Sequence, residues 1–242
     1  MAAPDVTSIE RLATAKVLCA GDVMLDHFIY GALERVSPEA PIPVLRIARR
    51  QSMLGGAGNV VRNVRSLGGS VRFVSVVGDD AAGSEVQSLC EATLTVEAGR
   101  VTPSKSRYVA QGQQLLRADS ESTTPISEAS FSDLRRRFQD ALSECHVVLL
   151  SDYAKGVLSG GRAQSLIQSA NEALCPVVVD PKGADFRRYR GATKVDAASR
   201  LRFSCPGVRA VAAPPSKPGA AATAQRVCQP TLFVLWKVLH AR

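Results

Sequence analysis

Histidine is scarce in this sequence: only His27, His146 and His240 occur, and no Cys-x-x-Cys pair accompanies them. The spacing of a zinc site is therefore missing, and no Ser-His-Asp set stands out. Cys19, Cys90, Cys145, Cys175, Cys205 and Cys228 are widely scattered. Buried free thiols in a reducing compartment are expected, not a disulfide framework. Long apolar runs are missing too. Asp22 interrupts residues 17–25, and residues 232–239 are short and contain Lys237, whereas a spanning helix needs about 20 apolar residues. Asp5 and Glu10 near the start fit no secretory signal. A soluble cytoplasmic protein without a membrane partner is the expectation. Acidic residues are absent after Asp196, while Arg200, Arg202, Arg209, Lys217, Arg226, Lys237 and Arg242 follow it. The chain carries a formal charge of +8, but the first 196 residues set 23 basic against 22 acidic side chains. The basicity thus belongs to the last stretch, and no nucleic-acid partner is expected for the folded part.

A length of 242 residues with 45% apolar side chains can bury a substantial core. Short apolar runs at residues 16–20, 71–77, 146–150 and 176–179 read as buried parallel strands. Between them, residues 56–67, 81–91, 128–142 and 160–173 carry apolar side chains at helical spacing. In the third, Phe131, Leu134, Phe138 and Leu142 share one face. Strands alternating with such helices predict an α/β fold with a doubly wound, mostly parallel sheet. Two stretches break the alternation, residues 27–47 with Pro38, Pro41 and Pro43, and residues 105–119, which alternate like a hairpin around Gln111-Gly112. Together they predict a small β lid. Residues 1–15 read as a lead, 16–194 as the domain and 195–242 as an unrelated tail. Five prolines (Pro206, Pro214, Pro215, Pro218, Pro230) would interrupt most elements in that tail. Ala/Pro/Arg/Cys enrichment is what a GC-rich coding region yields out of frame, so a frame-shift is expected; an authentic disordered tail is the alternative.

Three groups of residues can carry chemistry. Asp22 and Asp26 follow the first strand, separated by one helical turn or a tight loop. A carboxylate there accepts hydrogen bonds from sugar hydroxyls, or Asp22 simply caps a turn. In Gly55-Gly56-Ala57-Gly58-Asn59 the missing side chains let backbone approach a ligand at a helix start. Lys105 and Arg107 share one face of a strand and with Arg117 could line a phosphate; a solvated face is the plainer alternative. Finally, Asp152 and Lys155, and then Asp180 and Lys182, each follow a strand. Such loops suit phosphate- or Mg²⁺-linked groups in phosphoryl transfer. A dinucleotide-binding oxidoreductase is disfavoured, because no Gly-x-Gly-x-x-Gly follows the first strand.

The glycine cluster with Gly68 and Gly78 makes residues 16–194 resemble the N-terminal three-fifths of ribokinase-like (PfkB-family) sugar kinases, although Val61 stands where a small residue is usual. Gly21-Asp22-Val23-Met24-Leu25-Asp26, Val36-Ser37-Pro38-Glu39-Ala40-Pro41, Gln113-Gln114-Leu115-Leu116-Arg117, Ser151-Asp152-Tyr153-Ala154-Lys155-Gly156 and Asp180-Pro181-Lys182-Gly183-Ala184-Asp185-Phe186 resemble more narrowly the kinase domain of heptose 7-phosphate kinase/heptose 1-phosphate adenylyltransferases. That resemblance implies ATP- and Mg²⁺-dependent phosphorylation of the anomeric hydroxyl of D-glycero-D-manno-heptose 7-phosphate, on the way to ADP-heptose for lipopolysaccharide. It also implies a homodimer through the lid. Asp26 and Asn59 would hold sugar hydroxyls, with Gly55 and Gly56 lining the sugar. Lys105 and Arg107 would lie near the 7-phosphate, and Asp152 and Lys182 near the transferred phosphate. The pattern departs after Thr193. The family's Asn-x-x-Glu segment and its Gly-Ala-Gly-Asp turn, whose Asp is the general base, have no counterpart here; Gly219-Ala220-Ala221-Ala222 lacks the acid. No general base is expected, so a truncated, inactive kinase fragment is, with a non-catalytic sugar-phosphate-binding or dimerisation module as the alternative.

Overall fold

The structure, a computed structural model of the chain, describes residues 13–92, 94–182 and 185–195. Most of the expected lead, the expected tail from Asp196 onward, and Gly183-Ala184 of one motif lie outside the described residues.

A parallel sheet of five strands forms the centre. It contains β1 (Lys16–Gly21), β4 (Ser70–Val74), β9 (Val147–Asp152), β10 (Val177–Pro181) and β11 (Lys194–Val195), in the order β11-β10-β9-β1-β4. Period-2 alternation explains why β1 is apolar throughout. Val17 and Cys19 face one core cluster, and Leu18 and Ala20 face the other. The first cluster is closed by α1 (Ala57–Ser66) and α2 (Ala81–Cys90) through Val60, Val61, Val64 and Val86. The second is closed by α3 (Glu128–Leu142) and α4 (Arg162–Glu172) through Leu134, Phe138, Leu142, Leu166 and Ile167. Helices on both faces of a parallel sheet give the doubly wound α/β arrangement. Burying each such side chain contributes about 1.5–3 kcal/mol.

The apolar run 71–77, expected as one strand, is two. After β4, Ser75 donates its buried hydroxyl to the carbonyl of Gly21 at 2.6 Å, and its own carbonyl accepts from the amide of Thr95 at 3.1 Å. The chain then resumes as β5 (Val76–Gly78), paired in parallel with β6 (Thr95–Glu97) in a separate small sheet. Asp133 of α3 anchors that sheet, since its carboxylate accepts from the Thr95 hydroxyl at 2.6 Å and from Arg136 and Arg137, both at 2.7 Å. The Thr95 bond, followed by the two guanidiniums, holds its carboxyl below the ordinary 3.8. A lowered folded-state pKa gives stability that is present above the unfolded value and is lost as pH falls below about 4. Acid titration of thermal stability is therefore expected to lose part of its slope in Asp133→Asn; an unchanged acid limb would count against this anchor.

The second layer is a four-stranded sheet in the order β3-β2-β7-β8. It consists of β2 (Val23–Val36), β3 (Pro43–Gly56), β7 (Ser104–Ala110) and β8 (Gln113–Ser120). Its two hairpins are the two stretches that break the alternation in sequence. Gln111 and Gly112 both take positive φ (52° and 77°), the pattern of a two-residue turn. The hairpins join through parallel β2 and β7, which sets Asp26 opposite Lys105 and Phe28 opposite Arg107. The acidic motif differs from expectation, because Asp26 lies within β2 and not in a loop or helical turn. The chain turns at Asp22, where a Cβ on Gly21 would sit 2.0 Å from the Ser151 carbonyl oxygen.

Candidate functional site

The strand order reverses at β1, with β4, the next strand of this sheet in the chain, on one side and β9, the one after it, on the other. The carboxyl ends of β1 and β9 therefore flank the crevice where doubly wound sheets receive ligands. Asp22 fills the base of this crevice and is fully buried. Its carboxylate accepts three backbone N–H groups, from Tyr153 at 2.8 Å and from Lys155 and Val157 at 3.0 Å. Its own N–H donates to Ser151, and its carbonyl accepts from Ala57 at the start of α1. Burial pushes its pKa up, and the three amide bonds oppose that. Of the two sequence readings for Asp22 the structure supports the structural one. It ties the 153–157 loop, β1 and α1 together.

Asp26 stands above it on β2, half-buried. One carboxylate oxygen accepts from Arg107 at 2.6 Å. A Cβ on Gly55 would come within 2.4 Å of the other oxygen, and a Cβ on Gly56, at φ 58°, within 2.4 Å of the Asp22 carbonyl. The glycine pair thus lets the β3–α1 junction lie directly against both acids. Helix α1 begins without a side-chain cap, and the half-buried Asn59 occupies its first turn. Asp26, Gly55, Gly56, Asn59 and Arg107 are consequently grouped at one end of the lid.

The cations expected to face a phosphate have carboxylate partners. Lys105 donates to Asp119 at 2.9 Å and Glu121 at 2.8 Å, and Arg107 to Asp26. Arg117 donates to Asp119 at 2.9 Å and is half-exposed. On the core side, Lys155 is buried and reaches Glu121 at 2.6 Å. Asp152 is also buried. It accepts from the Tyr189 hydroxyl at 2.7 Å and the Ala154 amide at 2.8 Å, with Arg188 at 3.3 Å. Burial, then the adjacent Asp152, pushes the Tyr189 phenol upward. Asp180 is half-buried on β10 opposite Ser151, and the exposed Lys182 lies 5.7 Å from the centre of the Tyr153 ring. Among the described residues no group of three His, Cys, Asp or Glu side chains could hold a metal ion. These side chains therefore form no Mg²⁺ shell of their own.

Sequence reasoning missed several residues that shape the site. Arg100 is buried and donates to the carbonyls of Thr124 at 3.1 Å and Lys155 at 2.5 Å, so it braces the same loop as Asp22. No local signal marks it. Glu121 was findable, because Arg117, Asp119 and Glu121 alternate along one strand direction. A cavity of about 550 Å³ lies elsewhere, beside β4; Arg72, Glu91, Asp140 and Glu144 are among its lining residues, and it contains none of the site residues.

The pattern described as "pfkB family carbohydrate kinase" matches residues 14–198. The chain is 52% identical over 196 residues to Bifunctional protein HldE of Paramagnetospirillum magneticum, covering 78% of this chain and 40% of that protein. It is 46% identical over 191 residues to Bifunctional protein HldE of Rhodospirillum rubrum, covering 76% and 38%. The chain thus spans about two fifths of the length of these curated relatives. Among solved structures, the tetrameric inhibited form of phosphofructokinase-2 from Escherichia coli superposes with a TM-score of 0.54 at 21% identity, covering 73% of this chain and 57% of that one. The microbiome-derived acarbose kinase Mak1 gives 0.54 at 19% identity, covering 75% and 60%. At such identities these two speak for the fold alone.

Proposed function

This chain belongs to the pfkB family of carbohydrate kinases, and on that premise we propose that it is the sugar-gripping part of a heptose 7-phosphate kinase of ADP-heptose and lipopolysaccharide synthesis. In this reading residues 16–194 form the sugar-binding body, the hairpins at 27–47 and 105–119 its lid, and residues 195–242 a separate tail. The observation that carries it is the Asp26–Arg107 pair beside Gly55 at the β1/β9 crevice. A carboxylate accepts from vicinal sugar hydroxyls, while a guanidinium next to it can contact phosphate. Asn59, with donor and acceptor on one amide, adds a third hydroxyl contact. Lys105 and Arg107 lie toward the sugar's own phosphate; Lys155, Asp180 and Lys182 lie toward the crevice floor.

ATP and Mg²⁺ belong to the family chemistry, in which they supply the transferred phosphoryl group and its charge neutralisation. Among the described residues no cluster of His, Cys, Asp or Glu side chains makes a metal shell. Residues 194–242 supply no Gly-Ala-Gly-Asp base or anion-hole turn, and each of those contributions is commonly worth about two orders of magnitude or more. The 242-residue chain therefore binds sugar phosphate without useful turnover. An ADP-release assay with heptose 7-phosphate, ATP and Mg²⁺ is expected to stay at background, whereas sugar-dependent ADP release would overturn this reading. Exposed Val36, Ile42, Ile47, Leu115 and Leu116 lie in or beside the lid sheet, which favours a homodimer through that sheet. A cytoplasmic location fits free thiols, a small-molecule substrate, and the finding that no helix among the described residues is long and apolar enough to cross a membrane.

A further inference from the structure

Lys155 is a buried lysine whose backbone is tied to the core and whose side chain is tied to the lid. Its N–H donates to Asp22 and its carbonyl accepts from Arg100, so the pedestal is clamped from both sides. Its side chain is only 8% exposed, and its ammonium pairs with Glu121 at 2.6 Å. Glu121 lies just past the end of β8, on the lid, and its other oxygen accepts from Lys105 at 2.8 Å. Lys105 keeps a second carboxylate, Asp119, at 2.9 Å. A single lid carboxylate thus sits between two ammoniums, one on the lid and one on the core. Both lysines hold its carboxyl below the ordinary range, so it is an anion at neutral pH.

An anion pinned between two cations, one on the lid and one on the core, occupies the place that a ligand phosphate would take. We propose that Glu121 is an internal competitor for phosphate: it latches the lid to the core through Lys155 and is displaced when the substrate's phosphate bridges Lys105 and Lys155. The inference rests on the sugar-phosphate reading of the site. Charge supports the exchange. Lys105, Lys155 and Arg117 against Asp119 and Glu121 leave one net positive charge, and two once Glu121 swings away. A phosphomonoester carries about −1.5 to −2 at pH 7 and matches the second state. Three phosphate oxygens can also satisfy both ammoniums with bonds as strong as those of the carboxylate.

The test titrates inorganic phosphate at fixed ionic strength by calorimetry into the native chain, Glu121→Gln, and Glu121→Gln combined with Lys155→Met. Thermal melts check that each variant is folded, and Gln keeps the shape of the side chain. Glu121→Gln is expected to bind phosphate about tenfold tighter, the worth of roughly one charge-assisted bond no longer contested. The Lys155 change should cancel that gain. Unchanged or weaker binding in Glu121→Gln, a gain that survives loss of Lys155, or no detectable binding in any variant would overturn the latch. Parallel titrations with heptose 7-phosphate separate the two ideas. If the phosphate gain appears but heptose 7-phosphate binds no better than phosphate, the sugar assignment falls and the latch stands.

Discussion

Replacing Asp22 by alanine is expected to lower the thermal midpoint by roughly 10 °C, because it strands two buried amides and one part-buried amide at about 1–3 kcal/mol each, with a shift of about 2–4 °C per kcal/mol for a body of this size. The donors are the N–H groups of Tyr153, Lys155 and Val157. Their loop crosses the carboxyl end of the central sheet, so its loosening also removes the platform under Lys155. Asp22→Asn keeps one oxygen and places an NH₂ group against a facing N–H; roughly half the loss is expected. The order alanine, then asparagine, then native is the signature of a buried acceptor. A midpoint lowered by less than about 3 °C in the alanine variant would show that the loop does not depend on it.

Asp26 should behave in the opposite way. Its side chain and that of Arg107 are largely covered, 17% and 23% exposed, but both keep some access to water. Arg107 can turn to solvent once the carboxylate is gone, so Asp26→Ala is expected to lower the melt by much less than Asp22→Ala. Binding of heptose 7-phosphate should fall about a hundredfold or more, since hydrogen bonds to a charged acceptor are each worth about 1.5–3 kcal/mol and two hydroxyls lose their partner. The freed Arg107 can recover part of the phosphate contact but cannot accept from a hydroxyl. Calorimetry on both variants separates the two acids, Asp22 by stability and Asp26 by affinity. Equal affinities of Asp26→Ala and the native chain would remove Asp26 from the site.

The two acids also mark the limit of what the sequence discloses. Four residues apart in Gly21-Asp22-Val23-Met24-Leu25-Asp26, they look alike, and their difference lies in distant partners: amides 131 to 135 residues away for one, Arg107 for the other. Elements governed by local chemistry were legible. Helix α3 runs over residues 128–142 as its apolar spacing predicts, and Ser127 caps it by accepting the Ser130 amide at 3.1 Å. The lid hairpin was legible from Gln111-Gly112. Features set by tertiary bonds were not. Ser75 breaks an apolar run because a strand 54 residues away offers it a carbonyl. β6 has only three residues, too few for alternation to register. Lys105, Arg107 and Arg117 read as a cationic wall because their neutralising acids come mostly from other strands, and Asp119 and Glu121 become partners only once β8 folds back along β7.

What matters most is whether the residues around Asp26 grip a phosphorylated sugar at all. A calorimetric titration of the 242-residue chain with heptose 7-phosphate, beside the same sugar without its phosphate, answers this directly. Saturable binding that weakens when either the phosphate or the Asp26 carboxylate is removed is the expected result. Heats indistinguishable from dilution with the folded native chain would contradict it.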